Sequence, residues 1–190
     1  MIVKDIKLYD GDIIHHRFAY TYFRNRTLPI GNILAFRAPM KVEADGMIDL
    51  EDTLKNDYIY SDDAINFVWE IPNLDFFGAV AWQRLFNTQI ATVLSTQFLN
   101  APIEVDGDDL MVHKEFEQHG IIQPKGKCSV SITYVKNGAA LGHTAINVTA
   151  GRKAPAFAYS TNLTDDQCTE FMKSIIDQFY VMNDDMFLAT

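Results

Sequence analysis

The residues best suited to chemistry gather in the C-terminal part of the chain, around Asn137-Gly138. That dipeptide is the strongest short-range hairpin signal present, because both turn positions must tolerate positive φ. Its arms run from Lys127 to Val135 and from Leu141 to Ala150. Side chains alternate along a strand, so Lys127, Ser129, Ser131 and Thr133 share one face while Val130, Ile132 and Tyr134 share the other. On the second arm His143, Ala145, Asn147 and Thr149 alternate with Thr144, Ile146 and Val148. Matching the two apolar faces predicts a polar surface that carries Lys127, Ser129, Ser131, Thr133, His143, Asn147 and Thr149. Such a surface is either the solvated side of a one-sided sheet or the floor of a ligand site. In the second case a lysine, a histidine and an asparagine together could hold an anion and manage a proton.

A second group is acidic. Asp106-Gly107-Asp108-Asp109 is either a turn or, through Asp108 and Asp109, a place for Mg²⁺, which takes one or two carboxylates plus substrate phosphates. Ser61-Asp62-Asp63 reads as a turn or cap. His15-His16-Arg17 is dense in polar atoms, but neighbouring side chains on an extended segment point opposite ways, which argues against a two-histidine clamp. Arg37 ends an apolar strand and sits either at a pocket rim or in a salt bridge to Asp49 or Asp52. Gln83 and Asn87, one helical turn apart, flank Arg84 at a polar margin. No G-x-S-x-G elbow, G-x-x-x-x-G-K-[ST] phosphate loop or C-x-x-C pair occurs, so hydrolase, P-loop and redox-dithiol chemistries lack support. Cys128 and Cys168 read as small buried hydrophobes.

The elements that must position these groups follow from periodicity. Ile2 to Tyr9 reads as a strand broken by Asp10-Gly11, and Gly31 to Arg37 as a second strand closed by Pro39. Glu51 to Asn56 has the makings of a short helix. In Ile65 to Ile71 the apolar residues fall on every second position, which predicts a strand with one buried face. From Asp75 to Phe98 the spacing turns helical, with Trp82, Leu85, Phe86, Ile90, Val93 and Leu94 in a stripe. Ile103 to His113 is a strand interrupted at Gly107, followed by a surface loop through Pro124. Thr164 and Gln167 have capping-box spacing ahead of a last amphipathic helix carrying Cys168, Phe171, Met172, Ile175, Ile176 and Phe179. Strands in hairpins and two long helices predict a single α+β domain over 1–190, with a mainly antiparallel sheet.

Composition limits the partners. Hydrophobic residues are 48% of the 190 and aromatics 12%, enough to offset the chain entropy of folding. Sixteen Lys plus Arg against 25 Asp plus Glu leave a net charge of −9, which disfavours a duplex nucleic acid partner. No apolar run approaches the roughly 20 residues that span a bilayer, and no secretory signal opens the chain, so a cytoplasmic location is expected. A homodimer is compatible with these data.

In order along the chain, Tyr9-Asp10-Gly11, Ile33-Leu34-Ala35-Phe36-Arg37, Met47-Ile48-Asp49-Leu50-Glu51-Asp52, Ser61-Asp62-Asp63, Gln83-Arg84-Leu85, Gly107-Asp108-Asp109-Leu110 and Lys127-Cys128-Ser129-Val130-Ser131 resemble the family known as domain of unknown function 366. A more distant resemblance links Gly107 to Val112, Lys127 to Ser131 and His143 to Val148 with the catalytic half of biotin and lipoate protein ligases. That resemblance implies a ligase-like fold, with Asp109 facing a metal and phosphate and Lys127 contacting a phosphate or acyl carboxylate. Asp108 stands where the ligases carry Asn, and the segment from Met111 to Lys127 is longer than the ligase hairpin. The ligases' glycine-rich arginine loop is not evident around Arg37 to Gly46, so the fold is expected without the adenylation. The leading expectation is an enzyme acting on an anionic or nucleotide-type small molecule. Its catalytic group would be Lys127, His143 and Asp109, and Arg37, Arg84, Gln83, Ser129, Ser131 and Asn147 would line the ligand. Rival expectations are a nucleobase-modifying enzyme of a 7-deazaguanine-type nucleoside pathway and a non-catalytic binding module.

Overall fold

The structure is a computed structural model that describes residues 1–24, 30–43 and 58–189. The short helix expected at Glu51–Asn56 and the segment at Met47–Asp49 lie outside the described residues.

Two long antiparallel strands, β1 (Asn32–Val42) and β2 (Ile59–Pro72), pair from Asn32 with Glu70 to Val42 with Ile59. β2 then pairs with β9 (Ala139–Thr149), and β9 with β8 (Ser129–Lys136), giving a four-stranded sheet in the order β1-β2-β9-β8. Asn137 and Gly138, at φ 53° and 76°, make the tight turn between β8 and β9 that their residue types require. Pro39 continues β1 instead of closing it. It sits where the register shifts between Ala38 and Met40, a bulge on the edge strand of the four-stranded sheet, which is where a residue without an N–H is tolerated. The expected strand at Ile2 to Tyr9 reduces to two isolated parallel bridges on that edge, Ile2 to Ala35 and Tyr9 to Met40.

β2 is buried on both faces, not one. Ile65, Phe67, Trp69 and Ile71 pack into the helical side, while Ala64 and Val68 belong to a second core on the other side. Ser61-Asp62-Asp63, expected as a turn, lies within this strand.

The helical side is built by α2 (Phe76–Val93) and the C-terminal α3 (Asp165–Leu188). The Asp75 carboxylate caps α2 by accepting from Gly78 N at 2.7 Å, and a π-helical extension, Leu94–Leu99, carries it to a left-handed Asn100. Thr164 and Gln167 form the full capping box at the start of α3. Trp82, Phe86 and Ile90 meet Phe171, Ile175 and Phe179 over β1 and β2. Leu85, expected in the apolar stripe, is 36% exposed. Gly142 brings the Trp69 indole against the β9 backbone, where a Cβ would lie 2.0 Å from the ring.

The opposite face is covered by the N-terminal segment and the short helix α1 (Phe18–Phe23), through Tyr9, Ile13, Ile14 and Phe18. Beside the main sheet lies a smaller one of β3 (Ile103–Asp106), β4 (Asp109–Val112) and β7 (Gly126–Lys127). The stretch expected as a surface loop holds a further hairpin, β5 (Phe116–Gln118) with β6 (Ile121–Gln123). Its side chains tie it to the 151–154 segment, with Gln118 Nε2 donating to Gly151 O and His119 Nε2 2.7 Å from Ala154 O.

Among the described residues no helix is long and apolar enough to cross a membrane.

Candidate functional site

The small sheet brings Lys127 and Asp109 together. Met111 is paired with Lys127, so Asp109, two residues earlier, is its diagonal neighbour on the same face. Lys127 Nζ lies 2.6 Å from Asp109 Oδ1, with the two side chains 29% and 35% exposed. The backbone beneath is held on both edges. Lys127 N donates to Phe157 O and Tyr159 N donates to Lys127 O on one side, while Cys128 N donates to Leu110 O on the other. The inward neighbours Leu110, Val112 and Cys128 are fully buried, which turns Asp109 and Lys127 toward solvent. Burial pushes the Cys128 thiol up to about 12.

Asp108 occupies the turn between β3 and β4, after Gly107 at φ 61°. Its carboxylate is 3.6 Å from Arg84 NH1, and its carbonyl accepts from Asn87 Nδ2 at 3.0 Å. Both acidic residues thus already face a cation. Among the described residues no three His, Cys, Asp or Glu side chains are grouped to hold a metal ion.

The polar residues expected to line a ligand are instead bonded to one another. Arg84 NH1 donates to Gln83 Oε1 (2.8 Å), Gln83 Nε2 to Ser131 Oγ (2.8 Å), and Thr144 Oγ1 to Asn87 Oδ1 (2.9 Å), with Ser131 Oγ and Thr144 Oγ1 3.0 Å apart. Ser129 Oγ accepts from Leu110 N at 2.8 Å. Gln83, Ser129, Ser131, Asn87 and Thr144 are all buried between α2 and the sheet.

The single polar surface expected on the hairpin does not form. Counting outward from the two-residue turn pairs Ser131 with Thr144 and Ile132 with His143, so His143 faces away from Ser129 and Ser131. It is buried against the N-terminal segment, stacked on Tyr9 with centroids 3.8 Å apart, and its Nε2 lies 3.0 Å from Asn66 Oδ1. Burial lowers its pKa to about 3, which keeps the imidazole neutral. Asn147, paired with Ala64 and also buried, belongs to that same side. Lys127, His143 and Asn147 therefore do not converge.

Arg37 is fully engaged. Its Nε and NH2 grip both oxygens of Asp63 (2.9 and 2.6 Å), and NH1 reaches Asp165 in the first turn of α3 at 2.6 Å. These hydrogen bonds, Asp63's first, raise its already high pKa. The expected partners Asp49 and Asp52 lie outside the described residues. His15 and His16 lie in the turn before α1, where His16 Nδ1 is 3.1 Å from the buried carboxylate of Glu70. A groove of 660 Å³ between residues 1–6 and Thr21, Tyr22 and Arg24 shares no residue with the Lys127 cluster.

Solved structures place the fold. The biotin protein ligase from Aquifex aeolicus, in complex with biotin and ATP, superposes with a TM-score of 0.57 at 12% identity, covering 98% of this chain and 71% of that one. The bi-partite lipoate protein ligase from Thermoplasma acidophilum gives 0.54 at 12% identity, over 93% and 84%. A protein of unknown function from Pyrococcus horikoshi gives 0.80 at 23% identity, over 100% and 93%. The chain therefore has the α+β fold of biotin and lipoate protein ligases. It belongs to the family described as Domain of unknown function (DUF366), whose model matches residues 1–190. No curated protein matches the sequence.

Proposed function

We propose that this protein is a small-molecule enzyme of ligase or transferase type and that Lys127 receives an anionic group of its ligand, a carboxylate or a phosphate. The observation that carries the reading is the ammonium of Lys127, part-exposed and 2.6 Å from Asp109, on a backbone fixed along both edges. An ammonium has three donors and Asp109 takes one, which leaves two for an incoming anion. Asp109 orients the ammonium, and a pre-aimed cation stabilises negative charge that develops on a ligand without a cost of reorganisation. Arg84, part-exposed, faces Asp108, the residue before Asp109 in the chain. The likeness to a ligase in complex with biotin and ATP supports a ligand bearing an acid or phosphate.

His143 and Asn147 have no ligand role in this reading, and Arg37 acts as a clasp between β2 and α3. Gln83, Ser129 and Ser131 support the site from beneath.

Native mass spectrometry of protein purified from its own host tests the reading. The wild type is expected to carry a molecule with a carboxylate or phosphate, and Lys127→Ala to lose at least about nine-tenths of it, the loss of one charge-assisted contact. Equal retention by Lys127→Ala would overturn the assignment of Lys127. A retained neutral nucleobase would replace the anion reading with a nucleobase-modifying one.

A further inference from the structure

Four buried polar side chains, Gln83, Ser131, Thr144 and Asn87, run in a line from part-exposed Arg84 to the Gly107-Asp108 turn, and the order of their bonds is fixed by chemistry at both ends. Arg84 can only donate, so Gln83 must present its oxygen to Arg84 and its amide N–H to Ser131. At the far end the Asp108 carbonyl can only accept, so Asn87 must present its N–H there and its oxygen to Thr144. Thr144 then donates to Asn87, which leaves its lone pairs for the Ser131 hydroxyl, itself accepting from Gln83. Every donor points the same way, from Arg84 to Asp108, and each bond polarises the next.

The line ends on the peptide group immediately before Asp109. The peptide group immediately after it is held too, by Leu110 N donating to Ser129 Oγ at 2.8 Å. Two buried side chains from different elements, Asn87 of α2 and Ser129 of β8, thus grip the backbone on either side of the residue that pairs with Lys127. Matched apolar side chains in these positions could give nearly the same stability, because a satisfied buried hydrogen bond adds little over a well-packed hydrophobic pair. The polar line adds direction, which apolar contacts lack.

Resting on the anion-binding reading of Lys127, we propose that Asn87, Thr144, Ser131 and Ser129 are positioning residues that fix the Asp109 carboxylate, and through it the Lys127 ammonium. None of them touches the ligand.

The test reads Lys127 itself and needs no ligand. Native full-length protein is labelled with N-hydroxysuccinimidyl acetate, and the acetylation rate of each lysine is followed by mass spectrometry. Thr144→Val keeps the shape and removes the hydroxyl, while Thr144→Ser keeps the hydroxyl. Lys127 should acetylate about fivefold faster in Thr144→Val than in wild type, the statistical weight of one partly exposed ion pair. Thr144→Ser should match wild type, and Lys125 and Lys136 should not change in either variant. Asn87→Ala, on a helix that accepts alanine well, should repeat the Thr144→Val result and carries the test if the valine variant does not fold. An unchanged Lys127 rate in the folded variants, or all three lysines rising together, would overturn the proposal. Ligand retention by Lys127→Ala, measured separately, bears on the anion-binding reading alone.

Discussion

The imidazole of His143 lies parallel to the ring of Tyr9, 3.8 Å away and tilted by 13°, with Asn66 holding its Nε2. The contact seals a histidine inside the core between the sheet and the N-terminal segment, and it makes His143 one contributor to acid stability.

Because burial lowers the His143 pKa from its ordinary 6.5 to about 3, the unfolded chain takes up a proton that the folded one refuses. The stability due to neutral His143 is whole above pH 6.5 and drains as the pH falls toward 3. The slope from this group reaches about 1.4 kcal/mol per pH unit within that window. Urea denaturation at a series of pH values should show the acid loss in wild type and a shallower loss in His143→Gln. Parallel curves would contradict the buried neutral imidazole.

Lys127→Ala should change folding stability by no more than about 1 kcal/mol, since a part-exposed ion pair contributes little. The same variant should nonetheless lose its ligand. Urea midpoints set beside native mass spectra of the same preparations separate the two effects.

Both cysteines should resist thiol reagents in the native protein. Cys128 and Cys168 are buried and desolvation raises both thiols, so the reactive thiolate is scarce and out of reach. Labelling with iodoacetamide, followed by mass spectrometry, should show no adduct in buffer and two adducts in denaturant.

Gly142→Ala should cost about 2 kcal/mol or more, because the new methyl must displace the Trp69 indole from a fully packed core. The expected readout is a lowered melting temperature with a shift in tryptophan emission. A wild-type melting curve would mean that the indole yields easily.

Much of the architecture was legible in the residues. The turn at Asn137-Gly138, the start of the helix at Asp75 and the capping box at Thr164 are local chemistry, and local chemistry is written in short stretches of sequence. The faces of the hairpin were harder to read. Matching apolar to apolar put His143 beside Ser131, whereas the two-residue turn alone dictates that Ser131 meets Thr144. The error arose because both faces of this sheet are covered, so a polar residue pointing inward does not mark a solvated side. β2 misled for the same reason, since Asn66 and Glu70 lie buried under the N-terminal segment. The ligase resemblance put Lys127 and Asp109 at one site but did not foretell their ion pair, and the partners of Arg37 were not legible either. Asp63 and Asp165 stand 26 and 128 residues from it, and nothing in composition or periodicity encodes such a meeting.

That separation also orders assembly. Closing the loop from Arg37 to Asp165 costs about 1.4 kcal/mol more chain entropy than closing the one to Asp63, from the logarithmic growth of closure cost with length. The guanidinium therefore finds its strand partner first and is already oriented when the last helix arrives. Arg37 thus ties the start of the C-terminal helix to the sheet, and the ion pair to Asp165 is expected to close after the one to Asp63.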